Sequence, residues 1–145
     1  MLHKSQPVNT GLFPINIPQS PTVIYMLLQH YKINDKTMAL APAKEIEYDT
    51  IVYETDRKFY IKQTAIQLIH QACLNHWSTY EGRRKAVMHQ TGYKEKVPIP
   101  IHLKKEIIAF PTHAIKHFDC CWLFYHHVFH YESINDHPEF TSIYG

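Results

Sequence analysis

A helical stripe stands between two blocks of β-prone segments, and that order limits the folds open to this chain. Ala65, Leu68, Ile69, Ala72, Cys73 and His76 recur at the spacing of one helix face, and Thr64 followed by Gln67 supplies a capping box at its start. The pattern predicts a helix over 65–76 with one side buried. Ser78 with Glu81 offers a second capping box and Gly92 a stop signal, so a second helix is expected over 79–90, weakened by Gly82 near its start.

Residues 23–32 are apolar and β-rich, and Asn34-Asp35 then precedes Thr37-Met38-Ala39-Leu40, which reads as a hairpin turned at Asn34 and Asp35. Residues 23–30 also fit a turn or two of helix. Residues 46–54 alternate, and after the polar break at 55–58 Phe59-Tyr60-Ile61 completes a second hairpin. Pro98 and Pro100 interrupt the chain before a short strand at 107–110, and 121–131 is the longest β-prone stretch. Together these predict an α+β fold: a mostly antiparallel sheet built from hairpins, with about two helices in the middle of the chain. Pro7, Pro14, Pro18 and Pro21 mark residues 1–21 as an N-terminal arm, leaving 22–132 as a single domain and 133–145 as a tail.

With 45% hydrophobic residues in 145, and ten Tyr, seven Phe and two Trp, the chain has material for one sizeable core. Its longest apolar run, 120–125, is far short of the roughly 20 residues of a membrane span, and no charged-then-apolar leader opens it, so a cytoplasmic protein is expected. Cys73, Cys120 and Cys121 make a poor disulfide framework and fit reduced thiols.

Net charge is +2, but it is unevenly spread. Residues 57–105 carry ten Lys and Arg against Glu81 and Glu95; the remainder carries five basic and eleven acidic residues. A local cationic surface attracts a polyanion even when the total charge is small, although a solvated basic face has the same composition. The densest patch is Arg83-Arg84-Lys85 at the start of the second helix, near the N–H groups and dipole that favour a bound phosphate. Consecutive helical residues fan around the axis, so at most two of the three face one backbone. Lys94, Lys96, Lys104 and Lys105 flank a proline-stiffened loop, and Arg57 and Lys58 sit at a hairpin tip. These nine residues are the candidate contacts to a nucleic-acid polyanion. If they are, charge removal at Arg83 and Arg84 is expected to weaken that binding while leaving the fold intact.

Twelve His raise the question of a metal, with His113 and His117 four apart and Cys120, His126, His127 and His130 close behind. Zinc suits such donors. No Cys-x-x-Cys or His-Glu-x-x-His is present, and on one strand His126 and His130 would face away from His127, so no metal is assigned. Cys120 or Cys121 beside a His has the makings of a nucleophile, but nothing marks either thiol as activated. Trp122, Phe124, Tyr125, Phe129 and Tyr131 are suited to stacking on bases, and read better as sheet core. No repeat is visible, and the order of elements matches no helix-turn-helix, zinc-finger, ribbon-helix-helix or RNA-recognition pattern.

Three strings fall in order: Tyr80-Glu81-Gly82-Arg83-Arg84, then Ile107-Ile108-Ala109-Phe110-Pro111-Thr112, then Cys120-Cys121-Trp122. With Tyr31-Lys32-Ile33-Asn34-Asp35, Thr37-Met38-Ala39-Leu40-Ala41-Pro42 and Phe59-Tyr60 upstream, the chain resembles the competence transcription factor (ComK) family of low-GC Gram-positive bacteria over residues 31–128. The resemblance implies an oligomer that binds paired A/T-rich boxes in double-stranded DNA, largely through the minor groove, and activates genes for DNA uptake. It implies no enzymatic activity and no cofactor. It also brings in an adaptor that feeds a Clp protease, recognised in longer members through a basic C-terminal region. This sequence has a longer N-terminal arm than the family pattern and stops at Gly145, so it reads as a short member in which DNA binding is expected to outlast activation and regulated turnover. The alternatives are a modulator that associates with a full-length relative, and a small metal- or thiol-dependent enzyme around His113, His117 and Cys120.

Overall fold

Buried and half-exposed residues alternate along most strands of the sheet, and the buried set gathers under two helices. The computed structural model describes residues 12–14, 26–134 and 137–142. In chain order the elements are β1 Leu12–Pro14, β2 Met26–Leu28, β3 Thr37–Pro42, β4 Thr50–Glu54, β5 Lys58–Ile61, α1 Ala65–Asn75, α2 Tyr80–Thr91, β6 Ile99–His102, β7 Ile107–Pro111, β8 Trp122–Phe124, β9 Val128–Ile134 and β10 His137–Ser142. The first eight strands form one sheet in the order β1-β2-β5-β4-β3-β8-β7-β6, and β9 and β10 pair as a separate antiparallel ribbon. Every pair in the large sheet is antiparallel except β2 with β5, so the α+β class holds. Leu40, Val52, Ile61, Ile99, Ile101, Ile107, Ala109, Trp122 and Phe124 line its inner face and pack against Leu68, Ile69, Ala72 and Cys73 of α1 and Tyr80 of α2. No helix among the described residues is long and apolar enough to cross a membrane.

Both helices begin where side chains satisfy free backbone donors. Thr64 Oγ1 accepts from the Gln67 backbone N–H and Gln67 Oε1 from the Thr64 N–H, the full capping box. For α2 the cap is Thr79, whose Oγ1 accepts from Gly82 N at 2.9 Å; the expected Ser78 and Glu81 box is replaced by this contact. A Cβ on Gly82 would lie 2.9 Å from that same Oγ1, so the glycine that weakened the helix signal is what the cap requires. Gly92, at φ 81°, closes α2 in the left-handed conformation.

Three strand expectations need correction. The turn at Asn34 and Asp35 forms, with Thr37 N–H donating to Asn34 O, but it joins no hairpin: β2 pairs in parallel with β5, while β3 pairs with β4 and β8. Residues 99–102 form a strand despite Pro98 and Pro100, because β6 is an edge strand and proline is tolerated there. The stretch 121–131 is two strands broken by a turn at 125–127, where His127 N–H donates to Phe124 O; His126 and His130 therefore do not share a strand. Within the stretch read as an arm, Leu12–Pro14 pair with Met26–Leu28.

A polar knot ties the loop before β3 to the β4–β5 turn. The buried Glu54 accepts from Tyr31 Oη at 2.5 Å and Arg57 Nε at 3.2 Å, while Tyr31 Oη also contacts Thr37 Oγ1 at 2.8 Å and Asn34 Nδ2 at 3.3 Å. Burial, then the Glu54 contact, pushes the Tyr31 phenol well above its ordinary value of 10.0. The folded state thus holds this proton more tightly than the unfolded chain, so its contribution to stability is complete below pH 10 and is lost as pH rises beyond it. Urea unfolding between pH 9 and 11 should show a decline of up to about 1.4 kcal/mol per pH unit that Tyr31→Phe flattens. At pH 7 the same substitution should cost about 1–3 kcal/mol, because Glu54 loses a buried donor. Parallel pH profiles for the two proteins would remove Tyr31 from this role.

Candidate nucleic-acid interface

Strand register brings four turns to one end of the sheet. Thr37 lies opposite Glu54, Tyr53 opposite Lys58, Ala39 opposite Leu123, Ala109 opposite Phe124, and Ile107 opposite His102. The turn at 34–36, the β4–β5 turn, the β8–β9 turn and the β6–β7 turn therefore share this end. Asn34, Asp35, Lys105, Glu106, His126 and His127 line one small cleft there.

Of the nine candidates, four meet at this end: Arg57 and Lys58 on one turn, Lys104 and Lys105 on the other, all exposed. Two further exposed cations, Lys32 and Lys36, join them and were missed from sequence because they lie outside the basic middle of the chain. Arg57 is partly neutralised by Glu54 and by Asp56 at 3.9 Å. With strands about 4.8 Å apart, the two turns stand about 19 Å apart, the span of about six phosphates of one DNA strand.

The second helix and the loop after it hold the rest. Arg84 Nη2 lies 3.4 Å from Lys94 O, which draws Arg84, Lys94 and the exposed Lys85 and Lys96 toward the opposite end, where β6 begins. Arg83 behaves differently. Its Nη1 donates to Pro100 O at 2.7 Å and its Nη2 to His76 O at 2.6 Å, so the guanidinium spans from β6 to the C-terminus of α1. Its Nε is buried with no hydrogen-bond partner among the described residues. The conspicuous Arg83-Arg84-Lys85 run thus divides into a brace, a loop contact and one exposed lysine, and the expectation that removing the Arg83 charge leaves the fold intact does not fit a guanidinium bonded to two elements.

His76, at the C-cap of α1, reaches the same end of the sheet. Its ring lies edge-on to His102 at 4.6 Å, and its pKa is lowered first by burial and then by His102, Arg83, Lys105 and Lys32. Burial and the neighbouring cations both disfavour its protonated form. Beside it Trp77, at φ 69°, is 97% exposed.

The model of the family described as ComK protein matches residues 28–144. The chain belongs to the ComK family. It is 29% identical over 103 residues to a protein named competence transcription factor from Bacillus subtilis (strain 168), an alignment covering 70% of this chain and 53% of that protein. The chain therefore spans about half the length of that relative. No solved structure matches it.

Several strings that carried the ComK resemblance have structural reasons for their residues. Gly82 admits the Thr79 cap, Ala109 and Pro111 are buried in β7, and Cys120, Cys121 and Trp122 are buried where β8 begins. Trp122 and Phe124 are core, as expected; Tyr125 is exposed in the turn, and the side chains of Phe129 and Tyr131 lie outside those described. Burial raises the Cys73 and Cys120 thiols above their ordinary value, the opposite of nucleophile activation. His113 and His117 stack at 4.6 Å, but no group of three or more metal-ligating side chains is assembled among the described residues.

Proposed function

We propose that this chain is a cytoplasmic, DNA-binding transcription regulator of competence genes that engages A/T-rich promoter boxes in duplex DNA as a homo-oligomer. Family membership and the name of the Bacillus subtilis relative support the regulatory role. The observation that carries the DNA contact is the strand register, which gathers the exposed Lys32, Lys36, Arg57, Lys58, Lys104 and Lys105 at one end of the sheet. Bound phosphates offset the repulsion among these cations. Cations carried on turns suit A/T-rich duplex, whose narrow minor groove is strongly electronegative and draws in Arg and Lys. The Arg84, Lys85, Lys94 and Lys96 patch is the secondary contact, placed to meet flanking backbone.

The test is binding to duplexes carrying two A/T boxes at varied spacing, against a G/C-rich control, across a salt series. Spacing-dependent preference for the A/T boxes, with log affinity falling linearly against log salt, is the expected result. Equal, weak binding to every duplex would shift the reading to a modulator that acts on a longer relative through protein contacts.

A further inference from the structure

Trp77 occupies a position that ordinarily belongs to glycine. Helix α1 ends in a Schellman turn: the Ser78 N–H donates to Cys73 O and the Trp77 N–H to Leu74 O, each at 3.2 Å. The residue after the C-cap of such a turn takes the left-handed conformation, and Trp77 does so at φ 69°, which is strained for a bulky side chain. The other described non-glycine residues at positive φ are Lys44, Lys96 and Glu106, so Trp77 is the aromatic one. No packing offsets its strain: the indole is almost wholly in solvent, and the next most exposed described aromatic, Phe118, reaches 71%. The backbone that carries it is nevertheless fixed on both sides. Arg83 Nη2 donates to His76 O, the carbonyl of the peptide whose N–H belongs to Trp77. Strained conformations persist where their surroundings over-determine them, and they gather at functional sites.

The neighbourhood is the cationic end of the sheet. His76, one residue before, meets the ring of His102 edge-on at 4.6 Å. Leu103, one residue after His102, is 68% exposed and leads into Lys104 and Lys105. Two bare apolar side chains thus flank the histidine pair, set singly among Lys32, Lys104 and Lys105. The centre of a protein interface is depleted of charge. Cations interspersed with isolated apolar wedges are instead the composition of proteins that enter the minor groove.

We propose that Trp77 enters the minor groove of bound duplex and stacks at one base step of an A/T box, with Leu103 against the groove wall beside it. This rests on the DNA reading above and gives it an apolar contact that lysines cannot supply. Pyrimidine–purine steps such as TA unstack most readily, so the ring goes there.

The chain has two tryptophans, and Trp122 is buried in the core, where it serves as an internal reference. On titration with an A/T-box duplex at low salt, the Trp77 emission should be quenched by stacking and shielded from acrylamide. Trp77→Phe, which leaves Trp122 alone, should show no such change on binding. Trp77→Gly should lose about tenfold in duplex affinity. Its slope of log affinity against log salt should not change, since no phosphate contact is removed. Its melting temperature should rise by a few degrees, because glycine is unstrained at this φ. Leu103→Ala should lose less affinity than Trp77→Gly.

Duplex binding with the Trp77 emission unchanged would overturn the inference and leave the DNA reading standing. So would a Trp77→Gly variant that binds as wild type does, or one whose salt slope falls, which would mean that Trp77 only arranges the neighbouring lysines. Should Trp77→Gly melt below wild type, the wild-type fluorescence decides. A wild-type protein that binds no duplex at low salt sinks the DNA reading itself, and this inference with it.

Discussion

Arg83→Ala should destabilise the fold by about 3 kcal/mol, lowering the melting temperature by about 10 °C, even though Arg83 stands in the most basic run of the sequence. Its guanidinium is the only described group donating a side-chain bond to His76 O and Pro100 O together, at 2.6 and 2.7 Å. Hydrogen bonds from a charged donor are worth about 1.5–3 kcal/mol each, and truncation leaves two carbonyls facing the space it vacates. Arg83→Lys should not rescue it, since one ammonium cannot reproduce a fork reaching two acceptors on different elements. Arg84→Ala, which gives up only a 3.4 Å contact to Lys94 O, should change stability by less than about 1 kcal/mol. Urea unfolding of the three variants separates the roles, and an Arg83→Ala protein as stable as wild type would show that the brace carries nothing. Loss of DNA binding in Arg83→Ala on its own would not identify a contact.

Local signals in the sequence were read correctly where the physics is local. The Thr64 and Gln67 box, the Gly92 stop and the β4–β5 hairpin are each set by a few neighbouring residues, and each is found in the structure. Long-range pairing was not legible. Nothing near Met26–Leu28 says that its partner is β5 in parallel rather than β3 across the turn that follows. Proline at 100 signals a break unless the strand is known to lie at the edge, which depends on the order of all eight strands. The turn at 125–127 contains Tyr and two His and none of the usual turn residues, so its break in the β-prone run gave no warning. The candidate site shows the same division. Arg83-Arg84-Lys85 drew notice because it is contiguous, whereas Lys32, Lys36, Lys104 and Lys105 converge only through the register of β3, β8, β7 and β6.

If the sheet end is the interface, replacing Lys32, Lys104 and Lys105 together by Ala should cost about 100-fold in duplex affinity near 0.1 M salt, and should lower the slope of log affinity against log salt by about 2.7. Each lysine that neutralises a phosphate releases counterions in proportion, about 0.9 per contact, so the slope counts lost contacts independently of absolute affinity. All three side chains are exposed, so circular dichroism and melting should match wild type. Lys94→Ala with Lys96→Ala tests the other end of the sheet. As a secondary contact it should lose less than the triple variant in both affinity and slope. The reverse ranking would move the interface to α2 and its following loop, and an unchanged slope in both variants would mean that neither cationic group meets phosphate. Preference for A/T-rich over G/C-rich duplex should survive in the triple variant if these lysines only neutralise backbone, because phosphate contacts fix position and carry no sequence information. Should that preference collapse along with affinity, the same lysines enter the groove and read its width.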